Sequence, residues 1–346
     1  MIRLFASART LAATFLSMAA MLAAPSHAGP VITWVAPYKI GPSKAMLERD
    51  FGGVGMKDGL TYLALQFWVT DGPRVVQDGN AVGGGFDANV KWFKDWGRAN
   101  GVKVTLCVTD FVGGWNWAEA RRSMIDNRAA FVSALSAEVD RHDLDGVELD
   151  LEGVLEAGPT DSAGFVGFAK DLSTAMHAKG KVVTVASFAA QWNAPNWKWW
   201  PELMKSVDGV TSMGYEETGR ASTNGFNYAD QKKHANPAHK LMIGMPGHVG
   251  TWQGNGVTEQ LDWVVSDGSV GVGIWESSLP DAGWQTAAVW QRLKKIRDTK
   301  VVSIAKAKPR LRVDLQTGEV FNAKGARLSS RLPCMKSDCF GAPPVP

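Results

Sequence analysis

The sequence predicts an α/β protein, built as a (β/α)8 TIM barrel with a short C-terminal appendage. The chain has 346 residues, of which 45% are hydrophobic and 21% charged. This composition suits one globular core, and the length suits a barrel of about 250 residues. Short β-rich runs alternate with helix-length segments, which implies parallel strands joined by crossover connections. A doubly wound open sheet is the rival fold, but no GxGxxG follows the first strand.

The alternation gives eight strand–helix units, the number that closes a barrel. The predicted strands are Val31–Tyr38, Leu60–Thr70, Val102–Thr109, Gly146–Leu151, Val182–Phe188, Gly209–Tyr215, Leu241–Met245 and Val270–Trp275. Helical patterns between them include Ser123–Asp140, Ser162–Lys179, Val257–Val265 and Gln285–Arg297. We therefore expect the barrel to occupy residues 29–300.

Residues 1–28 are predicted to be a secretory signal peptide. Arg3 and Arg9 give a basic start, and the apolar run Leu11–Ala24 is shorter than the ~20 residues needed to span a membrane. Pro25 then breaks the run, and Ser26-His27-Ala28 presents small residues to a signal peptidase. We expect cleavage after Ala28, a secreted protein that is extracellular or periplasmic, and no membrane span in the mature chain.

Residues 301–346 are predicted to form a C-terminal appendage. Arg310–Asp314 and Val320–Asn322 flank a Thr317-Gly318 turn and read as a small hairpin. Cys334 and Cys339 are close enough in sequence to close a disulfide loop, which export permits. Cys107 lies inside an apolar run and is expected to be a buried free thiol.

Charge and composition exclude several function classes. There are 37 Lys+Arg and 34 Asp+Glu, a net charge of +3, and no long basic run marks a nucleic-acid or membrane-surface protein. No Cys/His cluster has metal-ligand spacing, so we expect no metal and no cofactor. The chain has 15 Trp and only 4 Tyr. An excess of Trp suits core packing, and it is also frequent in secreted proteins that stack sugars.

The stretch Asp145–Glu152 carries the clearest chemical signal. Strand side chains alternate faces, so Glu148, Asp150 and Glu152 share one face, at intervals of about 6.6 Å. An acidic edge strand with one solvated face would show the same alternation, but the fourth strand of a closed barrel has no solvated face. Buried carboxylates that repel one another are costly unless they share protons. We therefore predict a proton-transfer site at the C-terminal mouth of the barrel, near Glu152.

The pattern D-G-x-E-x-D-x-E at these positions resembles the D-G-x-D-x-D-x-E signature of glycoside hydrolase family 18, the chitinase-like enzymes. It falls on the fourth strand, where that family carries it. Ser212-Met213-Gly214-Tyr215-Glu216 on the sixth strand is similar to the family's Met-x-Tyr-Asp. Trp275, at the end of the eighth strand, is similar to the family's barrel-floor tryptophan. The resemblance spans residues 31–299.

The resemblance implies a substrate-assisted reaction with retention, in which the 2-acetamido group of the sugar attacks the anomeric carbon. Glu152 would be the acid and base, and Asp150 would orient the acetamido N–H. Tyr215 would hold the acetamido oxygen, and Trp275 would lie under the sugar. Glu148, Met213 and Glu216 complete the predicted site, Glu148 as a catalytic residue and the other two in substrate binding.

The chain departs from the family pattern in three places. Glu148 and Glu216 each replace an Asp, and the turn Thr109–Trp115 only loosely resembles the family's Gly-Gly-Trp turn. We predict that the longer side chain of Glu148 reaches Asp150 and shares a proton with it.

Other tryptophans divide into two predicted groups. Trp68, Trp115, Trp117, Trp192 and Trp252 lie at strand ends or in following loops and are candidates for further sugar subsites. Trp197, Trp199 and Trp200 have helical spacing and are predicted to pack.

The leading functional hypothesis is a secreted, monomeric hydrolase of β-1,4-linked N-acetylglucosamine polymers. Two alternatives use the same machinery: an endo-N-acetylglucosaminidase that trims glycans, and a peptidoglycan hydrolase. A non-catalytic chitinase-like lectin is a third, although such lectins typically lose the terminal acid that this chain keeps as Glu152.

Overall fold

The computed structural model describes residues 29–152, 159–189, 196–215 and 227–299, with three short strands beyond them. The predicted signal peptide, Cys334 and Cys339 lie outside the described residues. The chain divides into two units, Met1–Val301 and Val302–Pro346. None of the described helices is both long enough and apolar enough to cross a membrane.

The strands of the first unit are β1 Val31–Val35, β2 Tyr62–Asp71, β3 Arg74–Gln77, β4 Lys103–Thr109, β5 Gly146–Asp150, β6 Val182–Ser187, β7 Gly209–Ser212, β8 Leu241–Pro246, β9 Thr251–Trp252, β10 Asn255–Gly256 and β11 Gly271–Trp275. Its helices are α1 Ile40–Leu47, α2 Met56–Gly59, α3 Phe86–Asn100, α4 Trp117–Arg121, α5 Arg128–Arg141, α6 Pro159–His177, α7 Trp200–Leu203, α8 Tyr228–His234, α9 Val257–Asp267 and α10 Ala287–Asp298.

Eight of these strands close into a parallel barrel in the order β1, β2, β4, β5, β6, β7, β8 and β11, with β11 pairing back onto β1. The predicted (β/α)8 fold and all eight predicted strands are thereby confirmed. Several strands end a few residues earlier than expected, as β7 does at Ser212, because the chain then turns into the loops at the barrel mouth. The antiparallel strand β3, which extends β2, was not predicted.

Two apolar layers hold the barrel together. The larger lies between strands and helices and includes Val147, Leu149 and Leu151. The smaller fills the barrel interior with Ile32, Trp34, Ala64, Cys107, Ala186, Met213 and Met242. Cys107 is a buried free thiol, as predicted. The acidic side chains of β5 point into this interior, opposite the larger layer.

The second unit contains β12 Arg312–Val313, β13 Val320–Phe321 and β14 Arg327–Ser329. They form an antiparallel sheet in that order. β12 and β13 lie within the two segments predicted as a hairpin, and β14 adds a strand that was not predicted.

Candidate active site

The acidic strand β5 begins with Asp145 and Gly146, which fix its place between its neighbours. Oδ2 of Asp145 accepts a hydrogen bond of 2.8 Å from the backbone N–H of Val104, at the start of β4. On the other side, a Cβ atom at position 146 would lie 2.0 Å from the backbone oxygen of Val182. Only glycine therefore allows β6 this close, and the D-G of the motif sets the position of the carboxylates that follow.

Glu148 lies deepest in the barrel, with 0% of its surface exposed. It pairs in register with Cys107 on β4 and Thr184 on β6. The Thr184 hydroxyl donates a hydrogen bond to Oε2, and Oε1 has no partner. Burial raises the pKa of Glu148 well above its usual value, against the lowering effect of Thr184. Such an environment favours the protonated acid.

The predicted proton sharing between Glu148 and Asp150 is not found. Glu148 bonds Thr184, whereas Oδ2 of Asp150 accepts a hydrogen bond of 2.8 Å from Nε2 of Gln66 on β2. The remaining oxygens, Oε1 of Glu148 and Oδ1 of Asp150, receive no hydrogen bond from any of the described residues. Each carboxyl group is instead held by a polar side chain of a different barrel strand.

Asp150 and Glu152 form the coupled pair of the site. Asp150 is 2% exposed, and burial raises its pKa, opposed by hydrogen bonds from Gln66 and Glu152. Glu152 is half-buried at the mouth of the barrel, and burial together with the negative charge of Asp150 raises its pKa far more. Burial and the charge of Asp150 therefore favour the protonated form of Glu152, and the two carboxyl groups titrate together.

Asp110, which directly follows β4, contacts Glu152, one member of this pair. Its Oδ1 accepts a hydrogen bond of 2.9 Å from the backbone N–H of Glu152. The side chain is completely buried, and its Oδ2 has no hydrogen-bond partner among the described residues. Burial raises the pKa of Asp110 to about 7, against the backbone N–H groups of Glu152 and Asn116 that lower it.

A cleft of about 370 Å³ opens over Asp150 and Glu152. This volume lies within the range of small-molecule sites, roughly 300–1,000 Å³. The described residues that line it are Trp34, Pro37, Tyr38, Gln66, Asp78, Asn80, Thr109, Phe111, Trp115, Asp150, Glu152, Ala186, Tyr215 and Trp275. None of these described residues is Lys, Arg or His, so among them ionised carboxylates are the only full charges.

Tyr215 and Trp275, two of the predicted site residues, line the cleft with the two carboxyl groups. The ring of Trp275 is 6.2 Å from that of Trp34 on β1, at an interplanar angle of 51°. Burial and the charges of Asp150 and Glu152 raise the pKa of Tyr215, which keeps its hydroxyl protonated as a hydrogen-bond donor. Met213 is buried in the interior core and does not line the cleft. Glu216 lies outside the described residues.

The predicted tryptophan subsites are only partly correct. Trp115 lines the cleft and is 41% exposed, whereas Trp68 and Trp252 are buried in the strand–helix core. A register irregularity in β2 between Leu65 and Trp68 turns Trp68 to the helix side, and its Nε1 bonds Glu138. Trp117 donates to Asp161 and packs on the core, and Trp192 lies outside the described residues. Trp197, Trp199 and Trp200 pack, as predicted.

Three residues of the site were not found by sequence reasoning: Gln66, Asp110 and Trp34. Gln66 is the only polar residue in Leu63–Val69, a signal that could have marked it. Trp34 lines the cleft, and its buried indole N–H has no acceptor among the residues that the structure describes. A buried donor without a partner is uncommon in proteins, and a ligand in the cleft would supply an acceptor.

No group of three or more His, Cys, Asp or Glu side chains among the described residues is arranged to hold a metal ion. The ionisable groups that line the cleft include Asp150 and Glu152. Hydrolysis of a glycosidic bond needs an acid that keeps its proton and a negative charge that stabilises the cation formed at the sugar. Glu152 and Asp150 meet these two needs in a cleft of sugar-binding size, which places the protein among the glycoside hydrolases.

Comparison with known proteins identifies the family. The family model described as glycosyl hydrolases family 18 matches residues 41–311. The chain belongs to this family. A search of curated proteins gives no significant match.

Solved structures similar to this chain are chitinases, and the likeness concerns the fold. The chitinase of Chromobacterium violaceum has a TM-score of 0.60 at 15% identity, over 78% of this chain and 99% of that chain. The Group IV chitinase of Ostrinia furnacalis has a TM-score of 0.59 at 15% identity, over 78% and 99%. The chitinase ChiB of Flavobacterium johnsoniae has a TM-score of 0.54 at 19% identity, over 78% and 94%.

Proposed function

We propose that the protein is a secreted, retaining glycosidase that hydrolyses β-1,4-linked N-acetylglucosamine polymers, chitin or its oligosaccharides, with Glu152 as acid and base. The observation that carries this proposal is the pairing of Glu152 with Asp150 in the cleft, where burial and the Asp150 charge keep a proton on Glu152. A general acid must be protonated near neutral pH to be useful, and this environment provides that.

In the first step, Glu152 gives its proton to the glycosidic oxygen, and the bond between that oxygen and the anomeric carbon breaks. The 2-acetamido oxygen of the substrate attacks the same carbon and forms an oxazolinium ion. Asp150 accepts a hydrogen bond from the acetamido N–H and stabilises the positive charge of the ion. The Tyr215 hydroxyl donates a hydrogen bond to the acetamido oxygen. Gln66 keeps Asp150 in place during this step.

In the second step, the Glu152 carboxylate takes a proton from water, and the resulting hydroxide opens the oxazolinium ion at the anomeric carbon. Two inversions give net retention, and Glu152 regains its proton. Trp275 lies under the sugar, and Trp115 extends the apolar surface toward the next one. Glu148 lies deeper in the barrel than Asp150 as a neutral acid, Met213 packs in the interior core without touching the sugar, and Glu216 contributes to substrate binding.

The substrate polymer is tested by mass analysis of products from chitin oligomers, N-glycans and peptidoglycan. We expect the protein to release shorter N-acetylglucosamine oligomers from the chitin substrate and to leave N-glycans and peptidoglycan uncleaved. Cleavage of only N-glycans or only peptidoglycan would assign the same machinery to a different polymer. A wild-type protein that binds chitin oligomers and cleaves none of the three would be a lectin.

Export is supported by the sequence of residues 1–28 and is tested by N-terminal sequencing of protein recovered from the medium or periplasm. We expect the mature chain to begin at Gly29. Retention of the segment in the membrane fraction would contradict secretion.

A further inference from the structure

Three aspartates of the barrel accept a hydrogen bond from the backbone N–H of a residue on a neighbouring strand or just after it. Asp145 holds Val104 at 2.8 Å, and Asp208 holds Val183 at 2.8 Å, both at the amino ends of strands. Asp110 holds Glu152 at 2.9 Å, at the carboxyl end where the reaction takes place. The three contacts are alike in geometry, so their differences show what is particular to Asp110.

The two amino-end aspartates are partly exposed and have basic partners. Lys94 lies 3.0 Å from Asp145, and His177 lies 2.9 Å from Asp208. Asp110 is completely buried, and no ion pair is found for it in the described part of the chain. Its Oδ2 has no hydrogen-bond partner in that part of the chain either. If this hydrogen bond served stability alone, a partly exposed carboxylate or one paired with a cation would be more stable. An unpaired buried carboxylate is costly.

We propose that Asp110 is a positioning residue for the acid: it fixes the backbone at Glu152 and, when ionised, its charge keeps the proton on Glu152. This inference rests on the proposed role of Glu152. The charge of Asp110 raises the pKa of Glu152, after burial and Asp150. Because the pKa of Asp110 is about 7, this effect is largest above neutral pH, where Glu152 is closest to losing its proton.

Several other acidic groups lie around Glu152, and a substitution at Asp110 does not change them. Asp150 and Glu148 lie on β5, Cys107 lies on β4, and Tyr215 lies in the loop after β7. All of them are acids, so none of them opposes the effect of Asp110 with a positive charge, and the effect of Asp150 on Glu152 is the same in wild type and variant.

The test compares Asp110→Asn with Asp110→Ala, and uses Asp208→Asn as a matched control at the other end of the barrel. Asparagine keeps the acceptor for the Glu152 N–H and removes the charge. We expect kcat of Asp110→Asn to stay within about threefold of wild type at pH 5, and the alkaline limb to move to lower pH by roughly 0.5–1 unit. Asp208→Asn should leave the profile unchanged.

Asp110→Ala removes the acceptor as well as the charge. We expect kcat on a chitin oligomer to fall about tenfold, with KM little changed, because misplacing the acid slows proton transfer. The loss should be smaller on an aryl glycoside with a good leaving group, which needs less help from the acid. A role in stability alone would not produce this difference between leaving groups.

A pH–rate profile of Asp110→Asn identical to that of wild type would overturn the proposal. An equal loss of kcat on the chitin oligomer and on the aryl glycoside in Asp110→Ala would overturn it as well. Failure of both variants to fold, judged by circular dichroism, would assign Asp110 to stability alone and overturn it too. Glu152→Gln measured in the same series separates the two proposals. If that variant stays active, the acid assignment itself fails; if it is inactive and Asp110→Asn behaves as wild type, only the role of Asp110 fails.

Discussion

The side-chain amide of Gln66 donates a hydrogen bond of 2.8 Å to Oδ2 of Asp150, across from β2 to β5 inside the barrel. Both residues are buried, and this bond lowers the pKa of Asp150 against the raising effect of burial. Gln66 thus keeps Asp150 ionised and in one orientation. This contact links a residue without acid–base chemistry to the group that we propose orients the substrate.

Gln66→Leu should lower kcat/KM at every pH, and most strongly at low pH. Without the amide, the pKa of Asp150 rises further, so Asp150 becomes protonated at a higher pH as the solution is acidified. The acid limb of the kcat/KM profile should therefore move to higher pH. At the optimum the rate should fall by roughly 10-fold or more, since hydrogen bonds to charged groups contribute about 1.5–3 kcal/mol.

The control for this variant is Gln260→Leu, which removes another buried amide, one that donates to the backbone oxygen of Trp252 at 3.0 Å. It should lower thermal stability and leave the pH profile of activity unchanged. Identical profiles for Gln66→Leu and wild type would show that Gln66 does not act on Asp150.

Glu152→Gln should keep the fold and lose nearly all activity on poor leaving groups. General acid–base catalysis contributes roughly 10²–10⁴-fold, and here one residue serves both steps. Initial rates on chitin oligomers measure the loss, and circular dichroism checks the fold. Glu202→Gln, on an exposed glutamate of α7 that pairs with Lys205, is the control and should match wild type. More than about a tenth of the wild-type rate in Glu152→Gln would rule out Glu152 as the acid.

Glu148→Gln should lower kcat less than Glu152→Gln does, with oligomer binding largely intact, because Glu148 acts on Asp150 and does not line the cleft. Stability gives a second readout. The folded-state pKa of Glu148 is raised above the unfolded value of 4.5, so its contribution to stability is present below that pH and is lost as pH rises. Glutamine has no such titration, so the melting temperature of Glu148→Gln relative to wild type should increase between pH 4 and pH 8.

Melting curves and pH–rate profiles of both proteins check this prediction. An unchanged rate profile with reduced stability at every pH would make Glu148 a packing residue only.

The sequence predicted the barrel, its strand order and its acidic strand because these depend on alternation and on strand–helix spacing, both of which are local. It placed Glu148, Asp150 and Glu152 on the inner face correctly for the same reason. It could not predict Gln66 or Asp110 as partners of the acids, since these contacts join strands whose residues are 84 and 42 positions apart.

Two errors have particular physical causes. Trp68 was expected in the cleft, but the irregularity in β2 breaks the alternation and sends it to the helix side. Glu148 was expected to bond Asp150, but Thr184 and Gln66, from strands on different sides of β5, satisfy one oxygen of each acid. Register irregularities and cross-strand partners are set by the assembled barrel, and a single sequence does not reveal them.

In the mechanism that we propose, the substrate's own acetamido group is the nucleophile, and Asp150 and Tyr215 orient it. The most direct measurement compares kcat/KM of the wild-type protein on N-acetylglucosamine oligomers and on cellulose oligomers of equal length, which carry a hydroxyl at the same position. We predict ready cleavage of the first and no detectable cleavage of the second. Comparable rates on both would contradict the account, because a 2-hydroxyl group cannot form the oxazolinium ion.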